Sequence, residues 1–95
     1  MANLKLVLGA DALDHLWDHG LYPEDAFEVF EEGSFKNFPD GGHDGRRKIV
    51  GADKSGRLLT IVIEPQAEKA VIITGWPSDA EERALYSRPG GSQHV

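Results

Sequence analysis

Arg47-Lys48-Ile49-Val50-Gly51-Ala52-Asp53-Lys54-Ser55-Gly56-Arg57-Leu58-Leu59-Thr60-Ile61-Val62-Ile63-Glu64 is the stretch on which the fold of this chain turns. It reads as two strands, 47–52 and 57–64, joined by a short hairpin turn at Asp53-Lys54-Ser55-Gly56. Glycine stands where such a turn calls for a positive φ. Leu58, Leu59, Ile61, Val62 and Ile63 place apolar side chains on both faces of the second strand, which predicts a central strand covered on both sides. Downstream, Pro65 to Lys69 turns the chain, and Ala70 to Thr74 returns as a third strand whose end is marked by Gly75-Trp76-Pro77. Ser78-Asp79-Ala80-Glu81 has the form of a capping box, so a last helix is expected from Asp79 to Ser87. A disordered tail is expected over 88–95, which holds Pro89, Gly90 and Gly91.

Upstream, Phe35 and Phe38 bracket a short strand that stops at Pro39, and 40–45 is a glycine-rich loop. Asn3 to Leu8 reads as a first strand ended by Gly9. Asp11 then caps a helix whose inward face is expected to be Ala12, Leu13, Leu16 and Trp17, with Gly20 supplying the left-handed stop. Pro23 opens a second helix, with Glu24 and Asp25 at the positive end of its dipole and Ala26, Phe27, Val29 and Phe30 inward as far as Gly33. The expected architecture is one α+β domain over 1–87. In it an N-terminal helix hairpin packs on one face of an antiparallel sheet of three to four strands, and a short C-terminal helix follows.

The chain has 95 residues, no cysteine and a net charge of −6. A single small core follows from that length. Lacking cysteine, the chain can use neither disulfides nor thiolate chemistry, and a cytoplasmic location is the expectation. Its apolar runs are strand-sized, far short of the roughly 20 residues of a membrane span. The charge is unevenly placed: residues 1–40 carry nine carboxylates against Lys5 and Lys36, whereas 41–60 hold Arg46, Arg47, Lys48, Lys54 and Arg57 against Asp44 and Asp53. The acidic total excludes a broad basic footprint for nucleic acid and leaves only a local one.

That basic island is the first candidate site. Arg46, Arg47, Lys48 and Arg57 are of the type that neutralises a phosphodiester, with His43 as a general base near neutral pH. A solvated hairpin whose charges protect a sheet edge is the plainer explanation of the same residues. Glu64, at the end of the central strand, is a carboxylate base or a residue leaving for solvent. Arg83 and Tyr86, at i and i+3 on the last helix, point the same way as reactive groups or as part of an ordinary amphipathic surface. Trp76 offers either a stacking surface or a lid on the core. His15 and His19 share a helix face at i, i+4 but a third ligand would have to come from elsewhere, with His43 the candidate, and no metal or other cofactor is expected. No phosphate-binding loop, dinucleotide fingerprint or nucleophile elbow is present.

The runs His19-Gly20-Leu21-Tyr22-Pro23-Glu24-Asp25-Ala26-Phe27-Glu28-Val29-Phe30, Phe38-Pro39-Asp40, Arg47-Lys48-Ile49-Val50-Gly51, Gly56-Arg57-Leu58-Leu59-Thr60-Ile61-Val62-Ile63, Val71-Ile72-Ile73-Thr74 and Glu82-Arg83-Ala84-Leu85-Tyr86 together resemble the BrnT toxins. They do so in order and spacing across residues 3–87, and a related uncharacterised-domain family is about equally similar. The resemblance implies a fold akin to the RelE and ParE toxins. It further implies a bacterial toxin–antitoxin role: metal-independent RNA cleavage through the substrate's own 2′-hydroxyl, blocked by a cognate antitoxin. By position, Arg47 and Arg57 match basic strand residues of the family, Arg83 and Tyr86 its terminal helix, and His43 falls near a polar loop position. The sequence departs from the family at Gly75-Trp76-Pro77, where BrnT-like chains carry basic residues. The partners expected are therefore an antitoxin and RNA, with no membrane and with a homo-oligomer allowed. The alternative is a non-catalytic protein-binding module of the same fold, acting through the acidic helical face or Trp76.

Overall fold

Leu59 to Ile63 are all buried, and their strand, β4 (Leu58–Pro65), is the middle of a five-stranded sheet. The computed structural model describes residues 5–42 and 45–88. Along the chain the elements are β1 (Lys5–Leu8), α1 (Ala12–Asp18), α2 (Pro23–Glu32), β2 (Lys36–Pro39), β3 (Arg47–Ala52), β4, β5 (Lys69–Pro77) and α3 (Ala80–Ser87). Across the sheet the order is β1-β5-β4-β3-β2. The turn between β3 and β4 closes as its residues require, with Gly56 at φ 86° and the Asp53 and Gly56 amides donating within it.

Three expectations are corrected. The sheet is mixed and has five strands, because β1 runs parallel to β5 with Lys5 opposite Lys69 and Leu8 opposite Ile72. Parallel strands need a long crossover between them, and here the whole of α1 to β4 lies between β1 and β5 and supplies it. The helices are not confined to one face. Ala12, Leu16, Leu21, Ala26 and Val29 bury themselves against Ile49, Leu59, Ile61, Ile63, Ala70 and Ile72 on one side, while α3 lies across the other. Nor do the first two helices form a self-contained hairpin: α1 docks on β5, and α2 on β3 and β4.

Gly75-Trp76-Pro77 belongs to β5 rather than ending it, since Gly75 pairs with Ile61 and Trp76 with Thr60. Gly75 lies under α1, and a Cβ there would stand 2.8 Å from Ile61 Cδ1 and 3.1 Å from Leu16 Cδ2. Glycine is thus what lets the first helix approach the sheet. The inward face of α1 is also narrower than the wheel predicts. Ala12 and Leu16 are buried, but Leu13 and Trp17 are 51% and 61% exposed. At the other end, Asp79 caps α3 instead of Ser78: its carboxylate accepts from the Glu82 amide at 2.8 Å, and the Glu82 carboxylate accepts from the Asp79 amide at 2.9 Å. The Ser78 hydroxyl is occupied elsewhere, bonded to Thr60 Oγ1 at 2.8 Å in the sheet.

Substituting Gly75 with valine should therefore lower stability by about 1–3 kcal/mol through overpacking, read as a drop in the urea midpoint. Gly41→Ala, with no atom within 4 Å of the added Cβ, should leave the midpoint unchanged.

Candidate functional site

Strand alternation divides the basic island. In β3, Arg47 pairs with Ile63 and shares the face of Ile49, toward α1 and α2, whereas Lys48 pairs with Val62 on the α3 face. Arg57 lies just before Leu58, which pairs with Ala52 at the far end of the hairpin. At about 3.3 Å per residue, roughly 20 Å of strand separates it from Arg47, so the two arginines are not brought to a common phosphate. Arg47 donates from Nε to Asn37 Oδ1 at 2.6 Å. Arg46 lies just before β3, and Glu64 on β4 falls by alternation on the face of Lys48. Lys48 and Glu64 therefore share a face of the sheet, on neighbouring strands. His43 lies outside the described residues.

Arg57 is held among carboxylates. Its Nε lies 3.1 Å from Asp53 Oδ2 and its Nη2 3.6 Å from Asp25 Oδ1 on α2. Asp53 organises the turn: its Oδ1 accepts from the Ser55 amide, the Ser55 hydroxyl and the Arg57 amide at 2.8–3.0 Å. Burial works to raise the pKa of this carboxyl, but the hydrogen bonds from Ser55 and Arg57 together outweigh it and hold the group below its ordinary value. Asp25, Glu28 and Asp53 converge closely enough to suggest a cation, and the positive charge placed among them is the Arg57 guanidinium. Asp25 also accepts from the Tyr22 amide at 2.8 Å, and Glu28 from the Lys54 amide at 3.1 Å. This corner pins the β3–β4 turn to α2.

The opposite face is built around Glu82. It is the buried residue of α3, 4% exposed, on a helix whose other side chains are exposed or half-buried. Its carboxylate accepts from Trp76 Nε1 at 3.0 and 3.2 Å and from the Asp79 amide, and Lys48 Nζ stands 3.5 Å away. Lys48 also lies over the Trp76 ring, 5.8 Å from its centroid, and the His19 ring centroid is 5.9 Å from that of Trp76. Desolvated charge is costly unless paired and hydrogen-bonded, and here the carboxylate has both an ion pair and hydrogen bonds.

Tyr86 and Arg83 fare differently. The Tyr86 hydroxyl donates to the Ser34 carbonyl at 2.7 Å, and Lys36 lies over its ring. Tyr86 thus ties the end of α3 to the approach to β2. Arg83 is exposed. Neither Glu82 as a buried acceptor nor its pairing with Trp76 was apparent from the sequence. The signal was there, since Asp79-Ala80-Glu81-Glu82 fits a capping box as well as the frame one residue earlier does.

The architecture has a known counterpart. The crystal structure of the Brucella abortus ribonuclease toxin BrnT superposes with a TM-score of 0.64 at 19% sequence identity, covering 81% of this chain and 99% of that one. The chain has the BrnT fold. The likeness to BrnT expected from the sequence is thereby met at the level of architecture, while no family model and no curated protein sequence matches the chain. Among the described residues no helix is long and apolar enough to cross a membrane.

Two outcomes follow from these two corners of the BrnT fold. Because the folded pKa of Asp53 is depressed, its stabilisation is present above the unfolded carboxylate value of about 3.9 and is lost as pH falls through the folded value. Asp53→Asn should cost about 1–3 kcal/mol at pH 7 and flatten the acid limb of a stability–pH curve. Glu82→Ala strands the Trp76 indole and the Asp79 amide, and should likewise cost about 1–3 kcal/mol in urea unfolding.

Proposed function

We propose that this chain is the toxin-type component of a toxin–antitoxin pair, cutting RNA without a metal ion and neutralised by a partner protein. The observation that carries the reading is that Lys48, which stands over Trp76, and Glu64 fall on the same face of the sheet, with Arg46 next to the start of β3, in a fold shared with a ribonuclease toxin over 99% of that toxin's chain. In the reaction proposed, a 2′-hydroxyl of the substrate attacks the adjacent phosphorus. A base takes its proton, and the 5′-oxygen leaves with a proton, giving a 2′,3′-cyclic phosphate and a 5′-hydroxyl. Arg46 and Lys48 would stabilise the charge that grows on the phosphoryl oxygens, and Trp76 offers a face on which a base can stack. Glu64 is the proposed general base, with His43 as the second candidate.

Arg47, Arg57, Arg83 and Tyr86 take supporting parts in this proposal. The first two anchor the β2–β3 edge and the turn to α2, and Tyr86 fixes the end of α3. Arg83, exposed on α3, remains free to extend the path of the RNA backbone. A second reading, a protein-binding module without catalysis, is favoured by the pairing of Lys48 with Glu82 and of Arg57 with Asp25 and Asp53.

The purified chain should cleave RNA in the presence of EDTA and leave 2′,3′-cyclic phosphate ends. The double variant Arg46→Ala/Lys48→Ala should slow cleavage by about 10²-fold or more, and Glu64→Gln by about 10²- to 10⁴-fold. Induced expression should arrest bacterial growth for the wild type and not for the double variant. Intact RNA together with unimpaired growth would instead favour the binding module.

A further inference from the structure

The outer side of α1 carries a patch that neither the core nor the α3 face uses. Leu13 and Trp17, one turn apart, are 51% and 61% exposed, and Tyr22, at 55%, meets the Trp17 ring edge-on with centroids 5.3 Å apart. Single exposed apolar residues are ordinary, but two large aromatics and a leucine held in contact or at helical spacing form a contiguous surface of the kind that marks interaction sites. Aromatics are the side chains that most often anchor interfaces. The inward positions of α1 are filled by Ala12 and Leu16, so nothing in the core calls for a tryptophan at position 17.

The charge around the patch selects its occupant. Between Lys5 and Lys36 the chain has eight carboxylates and neither lysine nor arginine, and Asp14, Asp18 and Glu24 are exposed beside the patch residues. A second copy of this chain would bring the same carboxylates face to face, and a nucleic acid would bring phosphates. Both are repelled. A basic partner is attracted, and an apolar ridge one helix wide suits an amphipathic helix that lays its own apolar stripe along it.

We infer that Leu13, Trp17 and Tyr22 form a docking site for a basic amphipathic helical segment of another protein. The site lies on α1, across the sheet from Lys48 and Glu82, and does not depend on the ribonuclease reading: a chain without nuclease activity would dock the same partner.

The test is selection from a displayed library of helical peptides of random sequence on the intact protein. The peptides enriched should carry net positive charge and an amphipathic pattern. Synthesised copies should bind more weakly as salt rises, and Trp17→Ala should reduce their affinity about tenfold or more. Because Trp17 is exposed, that variant should keep the wild-type circular dichroism and urea midpoint. Asp14→Asn/Asp18→Asn, which leaves the apolar patch intact, should weaken binding and reduce its salt dependence. Enrichment of acidic or neutral peptides, or equal binding to Trp17→Ala, would overturn the inference. So would self-association of the protein that Trp17→Ala abolishes.

Discussion

A single carboxylate holds the two halves of the α3 face together. Glu82 is the buried residue of an eight-residue helix, and it receives the Trp76 indole, the Asp79 amide and the Lys48 ammonium. An apolar contact of the same area would leave the helix free to slide along the sheet. Directional bonds to β5, to the helix's own cap and to β3 set its position in three directions at once. The Ser78–Thr60 bond at one end and the Tyr86–Ser34 bond at the other complete the attachment. What α3 lacks in buried hydrocarbon it makes up in satisfied polar contacts. These same contacts determine where Lys48 and Trp76 stand, and so what the open part of the sheet can present to a phosphate or a base.

The two faces of the sheet therefore differ in kind. One is an apolar core beneath α1 and α2, with Gly75 and Gly51 allowing close approach, and there an error of fit costs packing energy. The other is a polar layer in which charge is paired within the fold before any ligand arrives. Pairing lowers the net attraction of Lys48 for an anion, and it also holds the ammonium in place, so that little side-chain entropy remains to be lost on binding. An acidic chain can in this way keep a local cationic site without a broad basic footprint. The acidic excess is concentrated in the α1–α2 segment, on the far side of the sheet.

The local parts of this arrangement were legible in the sequence. The β3–β4 hairpin followed from two apolar runs around Asp53-Lys54-Ser55-Gly56, and the central position of β4 from apolar residues on both its faces. What was not legible depends on partners distant in the chain. Nothing in Lys5 to Leu8 says that it will lie parallel to β5. The seven residues of α1 offer one broad apolar face, and its docking on the sheet, with Leu16 over Gly75, buries Ala12 and Leu16 while Leu13 and Trp17 stay exposed. The basic island shows the same limit in the candidate site. As a run of residues Arg46, Arg47 and Lys48 are neighbours, but alternation within β3 sends Arg47 to one face and Lys48 to the opposite one. The hairpin then carries Arg57 to its far end. The ends of α3 were ambiguous by one residue because Ser78 and Asp79 both suit a cap, and the buried Thr60 hydroxyl decides between them.

The two tryptophans allow the central constraint to be read directly. In a nitrogen-15 correlation spectrum followed after transfer to deuterated water, the Trp76 indole proton, bound to a buried carboxylate, should exchange far more slowly than that of Trp17, which is 61% exposed. In Glu82→Gln, which keeps an acceptor but removes the charge, the Trp76 resonance should shift and its protection should fall. Equally fast exchange of both indole protons in the wild-type protein would contradict the clamp at Glu82, and with it this account of how α3, Lys48 and Trp76 are placed.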